Sequence, residues 1–116
     1  MAYTVETREN ETSELLQTHY YKTSYDAMKK ALTDTLTNSG FEVTEFNDDY
    51  GEAIATKGNL STTIKIIMQN PRETSVDFFV EYYGMFFRKK QVLKFLAQVY
   101  TYLSKKFEFK GLGLHQ

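Results

Sequence analysis

The stretch from residue 41 to residue 83 constrains this chain more than any other. Phe41 and Val43 alternate with Glu42 and Thr44, and Ile54 and Thr56 with Ala53 and Ala55. Leu60, Thr62, Ile64, Ile66 and Met68 alternate with Ser61, Thr63, Lys65 and Ile67, and Val76, Phe78, Val80 and Tyr82 with Ser75, Asp77, Phe79, Glu81 and Tyr83. A period of two is the mark of strands with one face on a core and the other turned away from it. The breaks between them are Asn47-Asp48-Asp49-Tyr50-Gly51, Lys57-Gly58-Asn59 and Asn70-Pro71-Arg72, all rich in residues that suit turns. A parallel return needs a crossover of a dozen residues or more, so breaks this short force four antiparallel strands. In the third and fourth of them the even-numbered residues are expected to point inward.

Helical periodicity flanks these strands. Tyr25, Met28, Ala31, Leu32, Thr35 and Leu36 fill one arc of a helix, with Asp26, Lys30, Thr33, Asp34 and Thr37 on the other. Thr23 is expected as its N-cap, with Asp26 near the positive end of the helix dipole, and Asn38-Ser39-Gly40 as its stop. A second helix is expected from about Arg88 to Phe107. Val92, Leu93, Phe95, Leu96, Val99, Tyr100, Tyr102, Leu103 and Phe107 cover about half its circumference, which needs a sheet rather than one neighbouring helix as cover. Residues 15–22 read as a further strand, with a short helix as the rival. Residues 1–12 and 110–116 read as flexible tails on a single domain spanning 13–109, the first because it is Glu/Thr/Asn-rich with one large aliphatic, Val5.

Composition agrees with one globular α+β domain. The chain has 116 residues, 41% hydrophobic and 25% charged, which suits a packed core and excludes wholesale disorder. Cysteine is absent, so disulfides and thiolate chemistry are excluded. No apolar run approaches the ~20 residues that span a bilayer, and the opening residues lack a signal-peptide pattern, so a cytoplasmic location is expected. Net charge is -1, yet residues 1–58 carry net -6 and residues 59–116 net +5. A split along the sequence need not survive folding, and a mixed surface is the expectation.

The element order, strand, helix, four antiparallel strands, helix, resembles the β-α-β4-α topology of the TATA-binding-protein-like fold and of small bacterial domains of unknown function that share it. The pieces that carry the resemblance are Tyr25, Gly40-Phe41-Glu42-Val43 and Gly51-Glu52-Ala53-Ile54-Ala55. It implies a curved antiparallel sheet with two helices packed on one face, and implies little about function.

Function is less legible than fold. Asp48, Asp49 and Glu52 cluster at a turn, where acidic residues are common for local hydrogen-bonding reasons. His19 and His115 are the only histidines and do not make a metal site. No phosphate-binding glycine loop or nucleophile elbow is present. No catalytic residue, metal or cofactor is therefore expected. Three binding readings remain. Ile67, Phe79 and Tyr83 share the parity that turns away from the helices, which suits a protein partner or a second copy of the chain, as in a homodimer. Phe86, Phe87, Arg88, Lys89 and Lys90 place aromatics and cations at a helix start, where an anion or nucleic acid could bind. A sheet curled over an aromatic helix could also enclose a small apolar ligand.

Overall fold

A computed structural model describes residues 2–84 and 88–115. Seven strands form one sheet: β1 (Ala2–Glu6), β2 (His19–Lys22), β3 (Glu42–Asn47), β4 (Glu52–Lys57), β5 (Leu60–Asn70), β6 (Glu73–Tyr83) and β7 (Glu108–Leu112). Helix α1 spans Tyr25–Asn38 and helix α2 spans Lys89–Lys106. The sheet is curved and antiparallel, in the order β3-β4-β5-β6-β2-β7, with β1 also paired to β6. Both helices lie on one face.

The inward parity holds. Thr62, Ile64, Ile66, Val76, Phe78 and Val80 are all buried. They meet Met28, Ala31, Leu32 and Leu36 of α1 and Val92, Leu96, Val99, Tyr100 and Leu103 of α2. Ring contacts fill the space between α2 and the sheet: Phe78 meets Tyr100 edge-on at 5.5 Å and Phe95 at 6.4 Å, and Phe41 stacks on Phe95 at 4.8 Å. In β4 the buried residues are Ala53 and Ala55, and Ile54 faces the other way. Small residues there let α1 and the β3 side chains Val43 and Phe46 close over the sheet.

Helix α1 ends as its glycine suggested. Gly40 has φ +90°, its N–H donates to Thr37 O, and Phe41 N–H donates to Leu36 O. That is a Schellman stop, and it drives Phe41 back into the core. At the other end the cap is Ser24 rather than Thr23: the Ser24 hydroxyl accepts from Ala27 N–H at 3.2 Å. Thr23 is spent on leaving β2, with its N–H on Tyr21 O.

The ends of the chain differ from the expected tails. Ala2–Glu6 pair with β6 from Tyr83 to Phe79, and Val5 is buried opposite Val80. Glu108–Leu112 pair with β2, and Gly113 N–H donates to Thr18 O. Polar composition hid β1, because a strand with one face on the core needs apolar residues only at alternate positions, here Tyr3 and Val5.

Strands β1 and β2 lie end to end along the same edge of β6. Residues 7–18 leave the sheet between them and return. The neck of this excursion is closed by Arg8 N–H on Leu16 O and Thr18 N–H on Arg8 O. Asp77 on β6 ties both sides, accepting from the Thr7 hydroxyl at 2.7 Å and the Thr18 hydroxyl at 2.8 Å. Phe78 N–H, which a continuous strand would bond, donates to Thr7 Oγ1 instead. Residues 15–18, expected as strand, are a 3-10 turn (Glu14–Leu16) and the approach to β2.

Candidate functional site

The face of the sheet opposite the helices is uncovered apart from the two ends of the 7–18 excursion, whose 3-10 turn packs instead beside α2, with Leu15 next to Ala97, Thr101 and Lys105. Its composition follows from strand registers. Phe79 lies opposite Thr63, Thr63 opposite Ile54, and Ile54 opposite Glu45; on the other side Phe79 lies opposite Glu6. One row across five strands therefore reads Glu45, Ile54, Thr63, Phe79, Glu6, with two apolar side chains flanking a threonine and a carboxylate at each end. The next row runs Glu42, Thr56, Ser61, Glu81, Thr4. On the other side Lys65 lies opposite both Glu52 and Asp77, with a loose Lys65–Glu52 ion pair at 3.9 Å.

Acids outnumber cations on this face. Lys110 is held by Glu73 at 2.6 Å and Lys22 by Glu108 at 3.0 Å, so these lysines are already matched. Glu6, Glu42, Glu45 and Glu81 have no ion pair among the described residues. Asp77 faces the same side, and burial raises its carboxyl above the usual range while the two threonine hydroxyls pull it back. A recess of about 340 Å³ lies over Phe79, between Glu6, Glu9, Thr18, Glu52, Lys65 and Asp77.

Helix α2, on the covered side, has the opposite sign. Helix α2 exposes Lys89, Lys90, Lys94, Lys105 and Lys106 and contains no acid. The cations of the second half thus gather on α2. Residues of the first half supply much of the open sheet face and residues of the second half supply α2.

The residues singled out in the sequence are distributed unevenly. Ile67 and Tyr83 are exposed, at 41% and 47%, and Phe79 is half-buried. All three face outward, but the rows of Lys65–Asp77 and Ser61–Glu81 separate them, so they are islands rather than one apolar patch. Tyr83 donates to Glu81 at 2.9 Å. Arg88 is the N-cap residue of α2 without a side-chain cap bond, and Lys89 and Lys90 are exposed in its first turn. Phe86 and Phe87 lie outside the described residues. Glu6, Glu42, Glu45 and Ile54 were not singled out; for Glu6, Glu42 and Ile54 the signal was parity opposite to Val5, Val43 and Ala53, whereas Glu45 shares the parity of Val43 and is turned outward by a bulge between them.

The acids of the β3–β4 turn do not converge. Asp48 accepts from Lys29 at 2.9 Å and Tyr25 at 3.0 Å, which holds its carboxyl below the usual range. Asn47 accepts from Asp49 N–H, and Glu52 faces the open side. Ile67 instead joins Tyr50 and Met68, 69% and 56% exposed, at the rim of a depression of about 550 Å³ between this turn and the start of α1. No group of three or more acidic or histidine side chains among the described residues could hold a metal ion.

His19 is a core residue. It stacks on Tyr100 with centroids 3.4 Å apart and planes 6° apart, and its Nδ1–H donates to Gln17 O, 2.8 Å away. Burial lowers its pKa to about 4, against a smaller upward pull from that backbone contact. His115 leans on Tyr20, whose hydroxyl donates to Glu9. Comparison with protein-family models, curated proteins and solved structures gave no match. Among the described residues no helix is long and apolar enough to cross a membrane.

Proposed function

We propose that this chain is a non-catalytic binding module that docks a protein partner on the open face of its sheet. One observation supports the reading: both helices cover the same face, leaving a row in which Ile54 and Phe79 flank Thr63, with a carboxylate at each end that has no ion pair among the described residues. An uncovered sheet face with apolar residues inside a charged surround has the make-up of an interface core and rim. The surplus of acids selects a basic partner surface, because like charges brought together cost several kcal/mol.

The test is paired affinity capture from the cells that make the protein, with the wild type and a Phe79→Glu variant as baits. A protein retained by the wild type and lost from the variant is the expected result. Identical retention by both baits would reject the open face as the docking surface. Circular dichroism of the two baits keeps folding separate from binding.

A further inference from the structure

The two charged faces fit each other. The carboxylates that end the central row, Glu45 and Glu6, are four strand spacings apart, about 19 Å. On the exposed stripe of α2, Lys90 and Lys94 stand at one end and Lys105 at the other, with Ala97 and Thr101 between them. Lys90 and Lys105 are fifteen positions apart, about 22 Å along the helix. Both surfaces therefore have a small or apolar middle and charges at the two ends, of opposite sign and matching span.

We propose that the partner on the open sheet face is a second copy of this chain, which lays its α2 across the strands of the first. The inference rests on the docking reading above and names its occupant. The lysine ends of α2 meet Glu45 and Glu6, while Ala97 and Thr101 sit over Phe79. The donor and acceptor surfaces lie on opposite sides of each molecule, so the contact is heterologous and repeats head to tail instead of closing as a two-fold dimer. Attraction between exposed charges falls within a Debye length of roughly 10 Å at 0.1 M salt, so assembly is strongest at low ionic strength.

Sedimentation velocity over a concentration series tests this. At about 0.05 M salt the wild type sediments as a ladder of oligomers, and at about 0.5 M salt its apparent dissociation constant rises by at least about tenfold. A sheet variant, Glu6→Lys with Glu45→Lys, and a helix variant, Lys94→Glu with Lys105→Glu, are each monomeric alone. Mixed in equal amounts they assemble again, because each then finds its opposite. All four positions are exposed, and circular dichroism checks each fold. A wild type that stays monomeric at low salt overturns the proposal, and so do variants that assemble as well alone as mixed. A monomer whose open face still captures another protein ends self-assembly alone, whereas a monomer that captures nothing ends both readings.

Discussion

At the scale of single residues, the close approaches separate side chains that hold the fold from those that only occupy it. Gly51 has φ +64°, and a Cβ there would stand 2.1 Å from Ile66 O, whose own N–H donates to Gly51 O at 2.7 Å. Gly58 also has positive φ, +55°, but open space around it. Gly51→Ala is expected to destabilise by more than about 3 kcal/mol and Gly58→Ala by about 1 kcal/mol, read from urea midpoints. Equal losses would mean that β5 does not approach Gly51 as described. The Tyr100 hydroxyl is buried beside the Thr7 side chain, whose own hydroxyl is donated to Asp77, and meets the geometry of a hydrogen bond with no group among the described residues. Tyr100→Phe is therefore expected to leave stability unchanged or raise it by about 1 kcal/mol, since an unmade hydrogen bond has nothing to lose. A clear loss would reveal a partner for that hydroxyl.

His19 sets a pH dependence. Its folded pKa is about 4 against an ordinary 6.5, so the unfolded chain binds the extra proton first. The stability this residue contributes is complete above pH 6.5 and drains as pH falls towards 4, by about 1.4 kcal/mol per unit and about 3 kcal/mol in all. Asp77 opposes it with a raised pKa, so the comparison must be with a His19→Gln variant. Wild type should lose more stability than the variant between pH 7 and pH 4.5. Parallel losses would place His19 in water.

At the scale of elements, β1 decides whether the N-terminus belongs to the fold. Val5 is 5% exposed beneath the sheet. Val5→Ala removes two buried methyl groups and should cost about 2 kcal/mol, where a loose tail would lose nothing. The long strands and both helices were legible because their periods are unambiguous over many residues. Strands β1 and β7 were not, because each is short, carries polar residues on its open side, and is stabilised by pairing with distant β6 or β2 rather than by its own pattern. Alternation in β4 revealed two faces but not which was the core. Ile54 is the larger apolar residue, yet α1 packs where Ala53 and Ala55 leave room. Ser24 took the cap from Thr23 because β2 runs to Lys22 and leaves one residue for the turn.

At the scale of the whole molecule, sheet topology converts a sequence asymmetry into a spatial one. Strands β1, β3 and β4 come from the acidic half and turn Glu6, Glu42, Glu45 and Glu52 to the open side. The single helix of the basic half lies beneath. Polarity of this kind steers association and fixes orientation more than it adds affinity. The most direct measurement is amide relaxation in the labelled protein with small paramagnetic probes of opposite charge. A cationic probe should broaden Glu45, Ile54, Thr63, Phe79 and Glu6 most, and an anionic probe should broaden the exposed stripe of α2. Equal broadening of both faces by both probes would contradict the two-faced molecule on which docking depends.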